Sequence, residues 1–246
     1  MPELLIQVKE FIQKQAMPAP GAPVLVALSG GADSTALVLI LLELGYEVVA
    51  AHCNFGLRAE SDGDEDFVVH LADQKGFRLH VRRFEEADFI SESGESTQQI
   101  ARRLRYAFFE ELMLANAIAH CAMAHHTDDE TETLIQSFFR GNGPVILRGI
   151  PPQRGPYFRP LLGIPKADLL EFLRERGQLW RHDRSNDADD YRRNLVRNQL
   201  IPVLGKLNPG FQARFQGQAI RHAAQWDLLQ ALFLPLSGKV VEEEGG

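Results

Sequence analysis

At 246 residues and 45% apolar, the chain can bury one sizeable α/β core plus a smaller helical appendage, and no apolar run approaches the ~20 residues of a membrane span. Cys53 and Cys121 are its only cysteines, which excludes a disulfide framework or a zinc-ligand pattern and fits a reducing cytoplasm. The net charge of −7 excludes a uniformly basic nucleic-acid binder.

Residues 3–15 read as an amphipathic helix, with Glu3, Lys9 and Glu10 among apolar positions, rather than as a signal peptide. Met17–Gly21 is a Pro/Gly linker. The apolar run from Pro23 to Leu28 has strand length and ends in Ser29-Gly30-Gly31-Ala32-Asp33-Ser34. A helical pattern follows at once (Ala36, Leu37, Leu39, Ile40, Leu41, Leu44), and Gly45 suits its C-cap. Glu47–His52 is a second strand, running into Cys53-Asn54-Phe55-Gly56-Leu57-Arg58. An acidic stretch from Ser61 to Asp66 opens a helix to about Lys75, and Arg78–Arg82 is a third strand. Ser96–Asn116 is a long helix and Ile118–Ala124 a fourth strand. That strand ends at His125-His126-Thr127-Asp128-Asp129-Glu130-Thr131-Glu132-Thr133, with a helix through Phe139.

Repeated strand-then-helix units predict a Rossmann-like parallel sheet flanked by helices. Ligands of such sheets bind beyond the carboxyl ends of the strands. The Ser-Gly-Gly turn, the His52 stretch and the His125 stretch all fall at those ends. Residues 141–156 are a Gly/Pro-rich connector and Phe158–Leu162 a short extended piece. Ile164–Arg176, Arg192–Gly205 and Phe211–Phe233 are helices. The expected organisation is an N-terminal helix and linker (1–22), a catalytic domain (23–205), a helical extension (206–235) and a disordered tail (236–246). Charge is uneven: residues 1–139 carry ten Lys/Arg against 22 Asp/Glu, and residues 140–225 carry 15 against seven. The basic half suits RNA and equally suits a solvated helical surface.

A glycine turn at a helix N-terminus is a ready anion site, because backbone N–H groups and the helix dipole converge there. Gly30 and Gly31 permit close approach, and Ser29 and Ser34 add hydroxyls. A carboxylate beside phosphate is repulsive unless a cation bridges them, so Asp33 predicts Mg²⁺ on a polyphosphate. The turn is not a Walker A loop, since no Gly-Lys-Ser/Thr ending follows. In the second cluster, Asp129 and Glu132 share a helix face and His125 sits at the strand end. They suit metal binding or proton transfer; the alternative for the acids is N-terminal capping, which is preferred for Glu130.

Ser-Gly-Gly-x-Asp-Ser after a strand resembles the PP-loop of the ATP-pyrophosphatase, adenine nucleotide α-hydrolase-like superfamily. The ordered set is more specific. It comprises the loop, His52–Arg58, Ala101-Arg102-Arg103-Leu104-Arg105-Tyr106, Ala124–Thr133, Arg140-Gly-Asn-Gly143, Arg159-Pro-Leu-Leu162, Trp180–Asn186 and Arg193-Asn-Leu-Val-Arg197. Together these resemble the tRNA(Ile)-lysidine synthetase family. The resemblance implies a carbon–nitrogen ligase. ATP would adenylate the wobble cytidine of the CAU-anticodon isoleucine tRNA, and L-lysine would displace AMP to give lysidine.

The resemblance implies ATP contacts at Ala27, Ser29, Gly30, Gly31, Asp33, Ser34, His52, Asn54, Arg58 and Arg105, and Mg²⁺ on Asp33 and Asp129. Catalytic roles fall to Asp33, His125, Asp129 and Glu132, with Glu132 or His125 handling the lysine ammonium. Arg140, Arg193 and Arg197 are expected at tRNA; the bland alternative for each arginine is surface solvation. A homodimer is left open. Phe55 stands where the family commonly has histidine, and Glu130 where glutamine is common. The chain also ends earlier than many family members, which carry further C-terminal domains. Two other readings compete. A tRNA thiolation enzyme is disfavoured by the lack of paired cysteines, and a non-catalytic nucleotide-binding module would leave ATP intact.

Overall fold

The computed structural model describes residues 2–91, 94–140, 149–181 and 194–243, without the side chains of residues 140, 223 and 234–243. Contacts divide the chain into two units: Met1–His126 with Pro152–Asp183, and Thr127–Pro151 with Arg184–Gly246. This division differs from the sequence boundaries at 22, 205 and 235. Those boundaries follow breaks in composition, whereas the units follow packing between distant segments.

The first unit contains α1 (Glu3–Lys14), β1 (Pro23–Ala27), α2 (Ala32–Glu43), β2 (Glu47–Asn54), α3 (Ser61–Lys75), β3 (Arg78–Arg83), α4 (Thr97–Ala115) and β4 (His120–Ala122). After a segment belonging to the other unit come β5 (Gln153–Arg154), β6 (Tyr157–Phe158) and α6 (Lys166–Glu175). The sheet order is β3-β2-β1-β4-β6-β5. All pairings are parallel except β5–β6, a hairpin closed by Gly155-Pro156. The expected fourth strand pairs only over its middle, because β6 offers two residues and β1 leaves for the loop after Ala27.

Alternation along the strands builds two apolar layers. Val24 and Val26 of β1 pack with α1, α2, α3 and α6 on one face. Leu25 faces the other way, onto Phe108, Phe109, Leu112 and Met113 of α4. In α1, Leu5, Val8 and Ile12 are buried at helical spacing, so the N-terminal helix belongs to this core. Nine of the 12 residues of α2 are buried, so it is apolar all round and enclosed. Truncating Leu37 or Leu41, both 0% exposed, would cost about 2–5 kcal/mol. The long helix α4 starts where expected. Ser96 accepts from the Gln99 N–H, and the Gln99 side chain returns a bond to the Ser96 N–H.

The chain runs outward from β1 to β3 and then returns to place β4 on the opposite side of β1. The turn after β1 and the residues after β4 therefore emerge side by side at the switch point of the sheet.

The second unit contains α5 (Thr127–Arg140), a π-helical turn (Val196–Leu200), α7 (Ile201–Leu207) and α8 (Phe211–Glu243). Helix α8 continues past the expected end at Phe233 and covers 236–243 of the expected tail; residues 244–246 lie outside the described residues. Among the described residues, no helix is long and apolar enough to cross a membrane.

Candidate functional site

The turn after β1 is locked by bonds between near neighbours. The Ser29 N–H donates to Ser34 Oγ at 3.2 Å, and the two serine hydroxyls are 3.0 Å apart. Ser34 Oγ also donates to the Gly31 carbonyl at 3.1 Å, and Thr35 Oγ1 to the Gly30 carbonyl at 3.3 Å. Gly30 has φ +87°, and a Cβ there would come within 3.3 Å of Phe67 and Val68. Only glycine fits that position without strain. Gly31 is the N-cap of α2 and offers no side-chain cap, so the first amides of the helix point outward uncapped. This leaves an anion site made by the backbone.

Asp33 lies in the first turn of α2. Its Oδ2 is 3.3 Å from Lys166 Nζ and 3.5 Å from His126 Nε2. Its Oδ1 is buried with no hydrogen-bond partner among the described residues. Burial pushes the Asp33 carboxyl up, but His126 and then Lys166 outweigh it and hold it below the usual carboxylate range. An ionised carboxylate with one unsatisfied buried oxygen, beside an anion site, has the chemistry of a hard-cation ligand.

His52 is buried near the end of β2, and its Nδ1–H donates to the Leu28 carbonyl at 2.9 Å. Burial pushes its imidazole pKa down, against the Leu28 bond and the charges of Glu65 and Asp64. The ring is therefore neutral at pH 7, with Nε2 as a buried acceptor that meets no partner among the described residues. Asn54 ties the next turn together. Its Nδ2 donates to Asp62 and Glu65, and its Oδ1 accepts the Gly56 N–H.

Within the second unit, Glu132 of α5 is 1% exposed. Arg197, on the π-helical turn, donates to both of its oxygens, with Nη2 at 3.1 Å from Oε2, and lies 3.5 Å from Asp129. The fork-shaped Arg197 guanidinium thus faces both acids of this buried pair. Asp128, also on α5, accepts from Gln212 of α8 at 3.4 Å.

The PP-loop domain family matches residues 2–204. The chain belongs to the PP-loop family. It is 41% identical to a tRNA(Ile)-lysidine synthase of Bacteroides thetaiotaomicron over 82% of this chain and 48% of the relative. It is 38% identical to the Geobacter sulfurreducens enzyme of the same name over 99% of this chain and 53% of the relative. The chain spans about half the length of these curated relatives. Its fold is similar to that of the U34-tRNA thiolase NcsA from Methanococcus maripaludis, solved with its 4Fe-4S cluster. The TM-score is 0.72 at 18% identity, covering 89% of this chain and 80% of that one.

Around the PP-loop, the structure brings together Ala27, Ser29, Gly30, Gly31, Asp33 and Ser34. His52 is joined to the turn's approach through Leu28. Arg58 is ion-paired with Asp64 at 3.3 Å, and the Arg105 guanidinium lies 5.4 Å over the Phe55 ring. Phe55 also stacks on Phe84 at 4.9 Å. His125 is half-buried after β4. Asp129, Glu132 and Arg197 belong to the second unit. Arg197 faces the two acids rather than standing as a solvated surface cation. Arg193 and the Arg140 side chain lie outside the described residues.

Three PP-loop residues escaped the sequence reading. His126, not His125, touches Asp33. Lys166, the first residue of α6, is its other partner. Arg181 pairs with the loop itself. Its N–H donates to the Gly30 carbonyl at 2.9 Å, it forms a parallel bridge with Gly31, and its Nε donates to Asp64 Oδ1 at 2.8 Å. Its place beside Trp180 in a polar motif was the available signal, but nothing in the spacing ties it to a glycine turn so far upstream.

Proposed function

We propose that this chain carries the ATP-dependent ligation of L-lysine to the wobble cytidine of the CAU-anticodon isoleucine tRNA. The reaction would pass through an adenylated cytidine, releasing pyrophosphate and then AMP, in the cytoplasm. The observation that carries the ATP half is the uncapped N-terminus of α2 beside Asp33, whose buried Oδ1 lacks a partner among the described residues. The similarity to tRNA(Ile)-lysidine synthases over most of the chain supports the choice of acceptor and nucleophile.

In this reading, the amides of Gly31–Asp33 and the hydroxyls of Ser29 and Ser34 grip the β- and γ-phosphates. Held there, the α-phosphorus is oriented for attack by the cytidine oxygen. Asp33 would hold Mg²⁺, which neutralises charge on the departing pyrophosphate. Lys166 and His126 keep Asp33 ionised and ready for the ion. Arg58 and Arg105 supply further positive charge for the nucleotide phosphates. The acids of α5 keep the roles their type allows, as oxygen donors and proton acceptors. Glu132 or His125 takes a proton from the lysine ammonium, because only the free amine attacks. Arg140, Arg193 and Arg197 remain the proposed tRNA contacts, and Arg197 must share its charge with Glu132 and Asp129.

The test is incubation with ATP, Mg²⁺, labelled L-lysine and the CAU isoleucine tRNA. Lysine-labelled tRNA with pyrophosphate release is the expected result. Unlabelled tRNA with intact ATP would support a nucleotide-binding module instead. A thiolation reading would need sulfur incorporation in a parallel assay. Here Cys53 and Cys121 are both free, and burial pushes the Cys53 thiol up to about 11 and the Cys121 thiol higher still, away from thiolate chemistry.

A further inference from the structure

On the face of the sheet covered by α4, three arginines surround a pair of tyrosines. Tyr157 of β6 packs in the α4 layer. Arg159 follows two residues later and so leaves the strand on the same face. Arg154 is the direct cross-strand partner of Tyr157, which also places it on that face. Tyr106 of α4 meets Tyr157 edge-on at 4.9 Å. Arg102, one helical turn before Tyr106, holds its guanidinium 4.9 Å over the Tyr106 ring and donates to the Tyr106 hydroxyl at 3.2 Å. Arg102 and Arg154 are exposed, whereas Arg159 is 7% exposed.

Several other arginines in this unit are answered by carboxylates: Arg82 by Glu111, Arg83 by Glu65, Arg176 by Glu43, and Arg181 by Asp64. Among the described residues, neither Arg102 nor Arg154 has such a partner. The acid in contact with the tyrosine pair is Glu110, which accepts from the Tyr157 hydroxyl at 3.4 Å. Burial pushes the Arg159 pKa down, Tyr106 pushes it up, and the like charges of Arg102 and Arg154 push it down again, so all three groups act on Arg159.

We infer that Arg102 and Arg154, around Tyr106 and Tyr157, form a docking surface for the sugar-phosphate backbone of single-stranded RNA. Planar guanidiniums match phosphate oxygens, and Arg102 stacked on Tyr106 makes a flat cationic ledge of the kind unpaired bases settle on. Arg159 stands just past the end of β6, at the same rim of the sheet as the turn after β1. A strand bound there runs toward that rim. The ligand class rests on the proposed RNA substrate; the convergence of cations does not.

The test is binding of a fluorescein-labelled poly(C) oligoribonucleotide to the full chain across a salt series. The wild type is compared with the double variant Arg102→Gln/Arg154→Gln, two exposed changes expected to leave the thermal melt and Mg-ATP affinity unchanged. The double variant should bind RNA roughly tenfold or more weakly at low salt, with a slope of log K against log salt smaller by about 1–1.5. Unchanged affinity and slope in a wild-type protein that binds RNA overturn the surface and leave the proposed ligase standing. A matching loss of ATP affinity also overturns it, by giving these arginines to the nucleotide. No RNA binding by the wild type removes the surface and the proposed RNA substrate together.

Discussion

The loop after β1 is held by bonds that span two to five residues, from Ser29 to Ser34 and from Gly30 to Thr35. The acids of α5 are held by Arg197, 65 residues beyond Glu132. The loop makes its charge site from backbone amides, which need no side chain and lose little when one hydroxyl is removed. The α5 cluster places a carboxylate that is 1% exposed beside the Arg197 guanidinium. Asp33 stands between these extremes: it is part-exposed, shares its charge with two partners and keeps one oxygen uncommitted. Where a site is built from neighbours in sequence, single changes should alter chemistry and spare the fold. Where it draws on a partner far along the chain, they should cost stability first.

The sharpest break of this contrast is Arg197→Met. It removes the cation that donates to both oxygens of the buried Glu132, and the second unit should lose about 3 kcal/mol or more in denaturant unfolding. A loss under about 0.5 kcal/mol, the size of an exposed pair, would mean that Glu132 is relieved in another way.

Next comes Asp33→Ala, which should lower pyrophosphate release from ATP by roughly 100-fold or more while the chain stays folded. Unaltered release would remove Asp33 from the chemistry. The pH dependence has a definite sign. The Asp33 pKa is depressed in the fold, so its stabilising contribution is present above the ordinary carboxylate value and is lost as pH falls through the folded value. The wild type should therefore lose this increment on acidification, and Asp33→Ala should not.

Gly30→Ala is expected to cost about 1–3 kcal/mol, from positive φ and crowding against Phe67 and Val68, and to weaken ATP binding in the same titration. Gly31→Ala, with negative φ and more room, should be far milder. Equal effects would show that close phosphate approach, rather than backbone geometry, sets the need for glycine.

The smallest expected effect is a gain. Burial pushes the Glu130 carboxyl up to about 7. Glu130 thus favours the fold while protonated, and its contribution fades as pH rises through that value. Glu130→Gln should raise stability at pH 8 by about 1–2 kcal/mol, after discounting for partial exposure. The advantage should vanish near pH 4. A flat difference across pH would mean that the Glu130 charge is not what costs stability.

Much of this was legible in the sequence because it is local. A β-branched run, a glycine turn and an apolar helix announce the loop, and strand–helix alternation announces a parallel sheet. The start of α4 was legible at Ser96, which caps it. What escaped depends on where distant segments land. His125 and His126 are adjacent and chemically identical, and only the exit direction of β4 decides which reaches Asp33. Lys166 reads as an ordinary first-turn residue until α6 is packed against α2. Arg181 reads as one cation among many until it bridges Gly31. The two-residue strands β5 and β6 carry too few residues to show a period. The break between units at Thr127 falls inside one continuous polar motif, so composition gives no sign of it.

The most direct test of the central claim is calorimetric titration of the wild-type chain with ATP, with and without Mg²⁺. The account predicts saturable binding that tightens clearly when Mg²⁺ is added. Absence of ATP binding, or binding indifferent to Mg²⁺, would contradict it.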